Sequence, residues 1–184
     1  MSKKKSYCHL RLAGLLDNRL RKYFHNPNKI LKPFIKKNMI VLDFGCGPGV
    51  FSIEMAQLLE STGKVIAIDM QKGMLDIIKR KIEGTPIEKI IELQQCTQEK
   101  VGLSENVDFA LMFYVVHEVP NMENLFAEIL PKINKDGLLM IVEPKVVSKE
   151  TFNTMIDRTK KYGFEEYSKL KIAFSKGIVL RKIN

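Results

Sequence analysis

Residues 39–49 read MIVLDFGCGPG, an apolar run that stops at Asp43 and then turns through Gly45, Gly47 and Gly49. A strand that ends on an acidic residue and passes through glycines into a helix is a nucleotide cradle. Glycine permits backbone angles that a Cβ forbids, and it lets the main chain approach a ligand closely. The spacing limits which ligand. The dinucleotide fingerprint needs glycine at its first, third and sixth positions, and the sixth residue counted from Gly45 is Val50. No Lys-Ser/Thr pair follows to hold phosphates and magnesium, since Val50, Phe51 and Ser52 come next. The loop suits a nucleoside without phosphates.

Working outward, Phe51–Glu60 reads as a helix, Ser61-Thr62-Gly63 as a turn, and KVIAID as a second strand rising to Asp69. A carboxylate at that strand tip can accept from both hydroxyls of a ribose, a role shared by NAD, FAD and S-adenosylmethionine sites. The adenosine reading comes from the spacing, and the loop chooses among the three. VLDFGCGPGVFSIEMA at residues 41–56, followed by VIAIDMQKGML at 65–75, resembles the first two motifs of the class I S-adenosylmethionine-dependent methyltransferases.

Composition bounds the rest. The chain of 184 residues is 45% hydrophobic and 28% charged, enough for one domain with a core and too short for two ordinary ones. No apolar stretch approaches membrane-span length, and Arg11, Asp17, Arg19 and Arg21 interrupt any signal-peptide core, so a cytoplasmic location is expected. Three cysteines, Cys8, Cys46 and Cys96, form no disulfide framework or metal-ligand spacing. The net charge of +9 is concentrated at the start: residues 1–40 hold eleven Lys/Arg against the single acid Asp17. If residues 10–24 are helical, Leu12, Leu16, Leu20 and Tyr23 fall on one face with Arg11 and Lys22 opposite. Such an element can be a helix packed on the domain with a solvated basic face, an active-site cap, an anionic-membrane contact or an RNA contact. The expected division is a basic amphipathic segment over 1–27, taken as a cap, and a catalytic domain over 28–184.

Beyond Asp69 the chain alternates helix and strand patterns. The expected order is a helix over Gln71–Glu83, strands at Ile90–Gln94 and Val107–Phe113, a helix from the Asn121 cap to Leu130, and a turn from Pro131 to Gly137. A strand at Leu138–Val142, a helix from about Ser148 to Lys160 ended by Gly163, and strands near Glu165–Leu170 and Ala173–Arg181 follow. The last two strands are too close for a crossover helix and must form a hairpin. The fold class is α/β: five βα units build a doubly wound, mostly parallel seven-stranded sheet with a terminal antiparallel hairpin, the Rossmann-like order that the resemblance also implies. Ligands in such sheets sit beyond the carboxyl ends of the strands.

The resemblance assigns roles to those tips. Gly45, Cys46, Gly47 and Gly49 would pass beside the methionine and ribose of S-adenosyl-L-methionine, with Asp43 orienting the loop or meeting the ammonium, Asp69 on the ribose diol, and Met70 over the adenine. Cys96 stands where relatives often carry an adenine-binding Asp, which leaves Gln95, Thr97 or main-chain groups for that base; Cys96 can equally be a small buried residue. Phe113 joins the cofactor set. In FYVVHEVPN, residues 113–121, His117 can be a general base or a loop-holding residue. Tyr114 can steer the methyl or the acceptor, or simply pack, and Glu143 can face the cavity or cap a turn.

A sulfonium methyl is already activated, so holding a nucleophile in line within a dry pocket does most of the work. The chain is similar to small enzymes of the quinone C-methyltransferase and arsenite methyltransferase type through VLDFGCGPG, VIAIDMQKGML and VVHEVPN. Too few cysteines are present for a metalloid substrate. The motif that nucleobase amine methylases carry after strand four is missing, so a small-molecule acceptor is the first expectation. An RNA or protein methyltransferase anchored by its basic segment, and a non-catalytic cofactor-binding regulator, are the alternatives. No metal is expected.

Overall fold

A computed structural model of the chain describes residues 25–60 and 62–184. Seven strands form one sheet in the order β3-β2-β1-β4-β5-β7-β6. They are β1 (Ile40–Phe44), β2 (Lys64–Asp69), β3 (Ile91–Gln95), β4 (Val107–Phe113), β5 (Ile133–Pro144), β6 (Phe164–Leu170) and β7 (Ser175–Lys182). The first five are parallel, and β7 runs antiparallel to both β5 and β6. Among the described residues five helices cover the sheet: α1 (Pro27–Leu31), α2 (Val50–Leu58), α3 (Lys72–Ile82), α4 (Met122–Ile129) and α5 (Lys149–Lys160).

Strand side chains alternate between the two faces, and so the core is two clusters. Val41, Val65, Phe109 and Met140 pack with α1, α2 and α3 through Leu31, Phe51, Met55 and Ile78. Leu42, Ile66, Ala110 and Ile141 pack with α4 and α5 through Phe126, Ile129, Phe152 and Met155. Central strands buried on both faces explain why their sequences are continuous apolar runs.

The caps follow sequence chemistry. The side chains of Asn121 and Ser148 accept from the backbone N–H groups of Asn124 and Thr151, and Asn26 accepts from Lys29. At the other end of α4, Lys182 Nζ donates to the carbonyls of Leu130, Pro131 and Ile133, so β7 satisfies groups the helix end leaves open.

Three expectations need correction. The link from β3 to β4, residues 96–106, contains no helix, so only four of the five expected βα units carry one; a few apolar anchors, Val101 and Leu103 among them, bury the link directly. The fifth strand begins at Ile133 and not Leu138, because Ile133 pairs with Val107 before a register shift that brings Leu138 opposite Phe109. The described fold also reaches back to His25, ahead of the expected boundary at residue 28, since Asn26 caps α1 and His25 stands edge-on to Phe113. The amphipathic stretch expected over residues 10–24 lies outside the described residues.

Candidate active site

The strand order reverses between β1 and β4, one running to β2 and the other to β5, and at such a switch point a crevice opens beyond the strand ends. A cavity of about 290 Å³ occupies it. The turn after β1 forms its floor. Gly45 and Cys46 donate N–H bonds to the Ile68 carbonyl at 2.8 and 3.0 Å, stitching the turn onto β2. Gly45 has φ +72°, and a Cβ there would lie 2.5 Å from Val115 Cγ2. Gly47 has φ +52° with no atom near the place of a Cβ, so its bare backbone faces open space in the cavity lining.

Two carboxylates define this floor. Asp69, at the end of β2, accepts from the N–H of Gly47 and from that of Gln71, each at 2.8 Å, which ties the glycine turn to the second strand tip. Burial raises its pKa, and these backbone donors oppose the rise. Asp43 is 2% exposed and accepts the Ser52 hydroxyl at 2.5 Å. Burial pushes its carboxyl from 3.8 up to about 7; the Ser52 bond opposes that rise and the Asp69 charge adds to it. Burial likewise pushes the Cys46 thiol well up and that of Cys96 to about 11, so both stay neutral thiols at physiological pH.

The wall at the end of β4 is aromatic. Phe113 lies tilted on Phe51 with ring centroids 4.4 Å apart and on Tyr114 at 4.6 Å. Tyr114 holds φ +59°, a left-handed conformation that costs a non-glycine residue roughly 1–2 kcal/mol. Its N–H donates to Val142 O at 2.8 Å and its hydroxyl lies 2.5 Å from Ser175 Oγ. One 3-10 turn, Val116–Glu118, carries His117 into the lining. Glu143, fully buried, accepts the backbone N–H of His117 at 3.3 Å and pairs with its Nδ1. Because the Glu143 oxygens accept, a proton sits on Nδ1, while Nε2 lies 4.0 Å from Glu118 Oε1. Burial raises the Glu118 pKa, against the pull of His117.

Of the residues singled out in the sequence, Asp43, Gly45, Cys46, Gly47, Asp69, Met70, Cys96, Thr97, Phe113, Tyr114 and His117 line one cavity. Gly49, Gln95 and Glu143 do not. Gly49 is the N-cap of α2 and abuts Ile78. Gln95 turns its amide to donate to Met70 O, and Glu143 sits behind His117. Thr97 Oγ1 is engaged in its own loop, accepting from the N–H of Lys100 at 3.0 Å. Sequence reading missed Ser52, Asn124, Glu128 and Ser175. Ser52 had a signal, a hydroxyl in the first helical turn after the glycines, whereas Ser175 belongs to no motif. The lining carries Asp43, Asp69, Glu99, Glu118 and Glu128 against Lys100 as the cation among the described residues. Also among the described residues, no His/Cys/Asp/Glu group could hold a metal ion.

Comparison with known proteins agrees with this geometry. The family described as "Methyltransferase domain" matches residues 35–179. A demethylmenaquinone methyltransferase of Lactobacillus johnsonii is 29% identical over 143 residues, 77% of this chain and 55% of that protein. The Saccharolobus solfataricus protein named "Probable cobalt-precorrin-6B C(15)-methyltransferase (decarboxylating)" is 25% identical over 144 residues, 78% of this chain and 70% of that protein. The chain thus spans about half the length of the first of these relatives. Among solved structures, a SAM-dependent methyltransferase from Aquifex aeolicus superposes with a TM-score of 0.83 at 22% identity, covering 96% of this chain and all of that one, a likeness of fold.

Proposed function

This chain belongs to the methyltransferase-domain family, and on that premise we propose that it transfers a methyl group from S-adenosylmethionine to a small-molecule acceptor, a planar ring bearing an acidic hydroxyl. The observation that carries the reading is the Asp69–Gly47 bond at the switch point: the half-buried glycine turn holds at the cavity the carboxylate acceptor that a ribose diol requires. The residues fit the cofactor in other respects. Gly45 to Gly47 leave room for the methionine end, Asp69 supplies negative charge for its ammonium and sulfonium, joined by Asp43 as that carboxyl ionises above about pH 7, and Met70 and the neutral Cys96 offer an apolar surface to adenine. With Gln95 and Thr97 both engaged, adenine is left to main-chain groups. Bound there, S-adenosylmethionine supplies an electrophilic methyl.

The chain's own residues then position and deprotonate. The aromatic wall of Phe51, Phe113 and Tyr114 supports a flat acceptor. His117 takes the acceptor's hydroxyl proton on Nε2, with Glu143 holding the Nδ1 tautomer and stabilising the imidazolium that forms. The quinone and precorrin names of the relatives accord with an unsaturated ring acceptor. A lining rich in carboxylates disfavours a polyanion, which argues against RNA as the acceptor. A cap formed by residues 1–24 and a cytoplasmic location belong to the same proposal; among the described residues no helix is long and apolar enough to cross a membrane.

Calorimetry with S-adenosylhomocysteine and NAD, followed by labelled-methyl transfer to reduced 1,4-naphthoquinone and to RNA, tests this. Saturable binding of the first ligand and label on the hydroquinone are expected. NAD binding without S-adenosylhomocysteine binding, or label on RNA alone, would sink the proposal.

A further inference from the structure

His25 is the first described residue of the chain, and it lies against the aromatic wall. Its ring stands edge-on to Phe113 and to Tyr114, each at a centroid distance of 5.6 Å. Nε2 lies 3.1 Å from the Tyr114 hydroxyl, 3.1 Å from Ala173 O and 3.4 Å from Ser175 Oγ. Donor counting assigns the protons. Ala173 O only accepts, so its contact with Nε2 requires a proton on that nitrogen. The Ser175 hydroxyl donates its one proton to the same carbonyl at 3.0 Å. Tyr114 must therefore donate across its 2.5 Å contact with Ser175, and its oxygen shares the single Nε2–H of His25 with Ala173 O in a bifurcated bond. The counting places a proton on Nε2 of His25, whereas the Glu143 pair places one on Nδ1 of His117.

We propose that His25 is a positioning residue for the acceptor end of this site, acting through Tyr114. Tyr114 lines the cavity in a left-handed conformation, and such residues persist where their surroundings over-determine them. His25 and Ser175 supply that constraint from opposite ends of the described chain, one before α1 and the other at the start of β7. They fix the hydroxyl, and with it the angle of the ring that the acceptor packs on. The consequence is a division of labour between two histidines: His117 moves a proton, whereas His25 holds a wall. This inference rests on the acceptor reading above only for its kinetic effect.

Three measurements on the 184-residue chain test it. Long-range nitrogen–proton NMR of its three histidines, with His25 assigned through His25→Gln, should show a protonated Nε2 for His25. An unprotonated Nε2 overturns the proton assignment and the proposal. Selective tyrosine labelling, with Tyr114 assigned through Tyr114→Phe, should show the Tyr114 ring resonances displaced in His25→Leu and close to native in His25→Gln, whose amide N–H can reach the same oxygen. Undisplaced resonances in His25→Leu overturn it too. With reduced 1,4-naphthoquinone as acceptor, His25→Leu should raise the acceptor KM about tenfold, leave S-adenosylhomocysteine affinity within about twofold, and add nothing to Tyr114→Phe in the double variant. Additive effects overturn the coupling. If the native protein does not methylate that probe, the acceptor reading fails, and the two NMR results still decide the role of His25.

Discussion

Asp69 does two things, gathering the glycine turn onto β2 and presenting a carboxylate to the cavity. Asp69→Ala should lower affinity for S-adenosylhomocysteine by at least about tenfold, since hydrogen bonds to a charged acceptor contribute about 1.5–3 kcal/mol each. Calorimetric titration of the folded variant checks it, and unchanged affinity would move the ribose elsewhere. Asp43 makes a prediction of opposite sign for the fold. Its folded pKa of about 7 exceeds the unfolded 3.8, so the native state holds this proton more tightly. Its stabilising effect is full below about pH 4 and is lost as pH rises to about 7, at on the order of 1.4 kcal/mol per unit. Asp43→Asn should therefore unfold at a higher temperature than the native protein at pH 8, with the difference shrinking toward pH 5, while cofactor affinity falls. A difference that stays constant with pH would refute the burial argument. At this scale the sequence was legible where backbone demands restrict the residue type, as at Asp43, Gly45, Gly47 and Asp69. It was not legible where a side chain's direction is settled by distant packing. Gly49 meets Ile78, Gln95 bends to Met70, and Glu143 retreats behind His117, and no spacing announces these outcomes.

Elements were read from period and caps, and these local signals held for β2, β4 and the N-termini of α4 and α5. The failures were non-local. The link from β3 to β4 packs without helix, and β5 starts early because Val107 offers it a partner across a register shift. Cap chemistry gives a clean control. Ser148 lies outside the cavity lining, so Ser148→Ala should cost about 1 kcal/mol, lowering Tm by about 2–4 °C, and leave S-adenosylhomocysteine affinity unchanged. A scanning calorimetry trace with no loss would show that the hydroxyl adds nothing to α5.

Over the whole molecule, the buried residues of both hydrophobic clusters, among the described residues, run from Leu31 to Leu180. A chain beginning at His25 should unfold cooperatively and bind S-adenosylhomocysteine, with methyl transfer to the acceptor greatly reduced if the basic segment caps the site. Full turnover would dismiss the cap, and an unfolded product would make the segment part of the core. The placement of β7 has a further effect, felt during synthesis. It enters the sheet between β5 and β6, which both leave the ribosome before it. Until residues 175–182 emerge, β6 has no neighbour and β5 shows a bare apolar edge, Leu139 and Ile141 included. An exposed strand edge of that kind recruits other chains. A nascent polypeptide stalled before Ser175 should thus be a target for chaperones and proteases, and one more strand's worth of translation should release it.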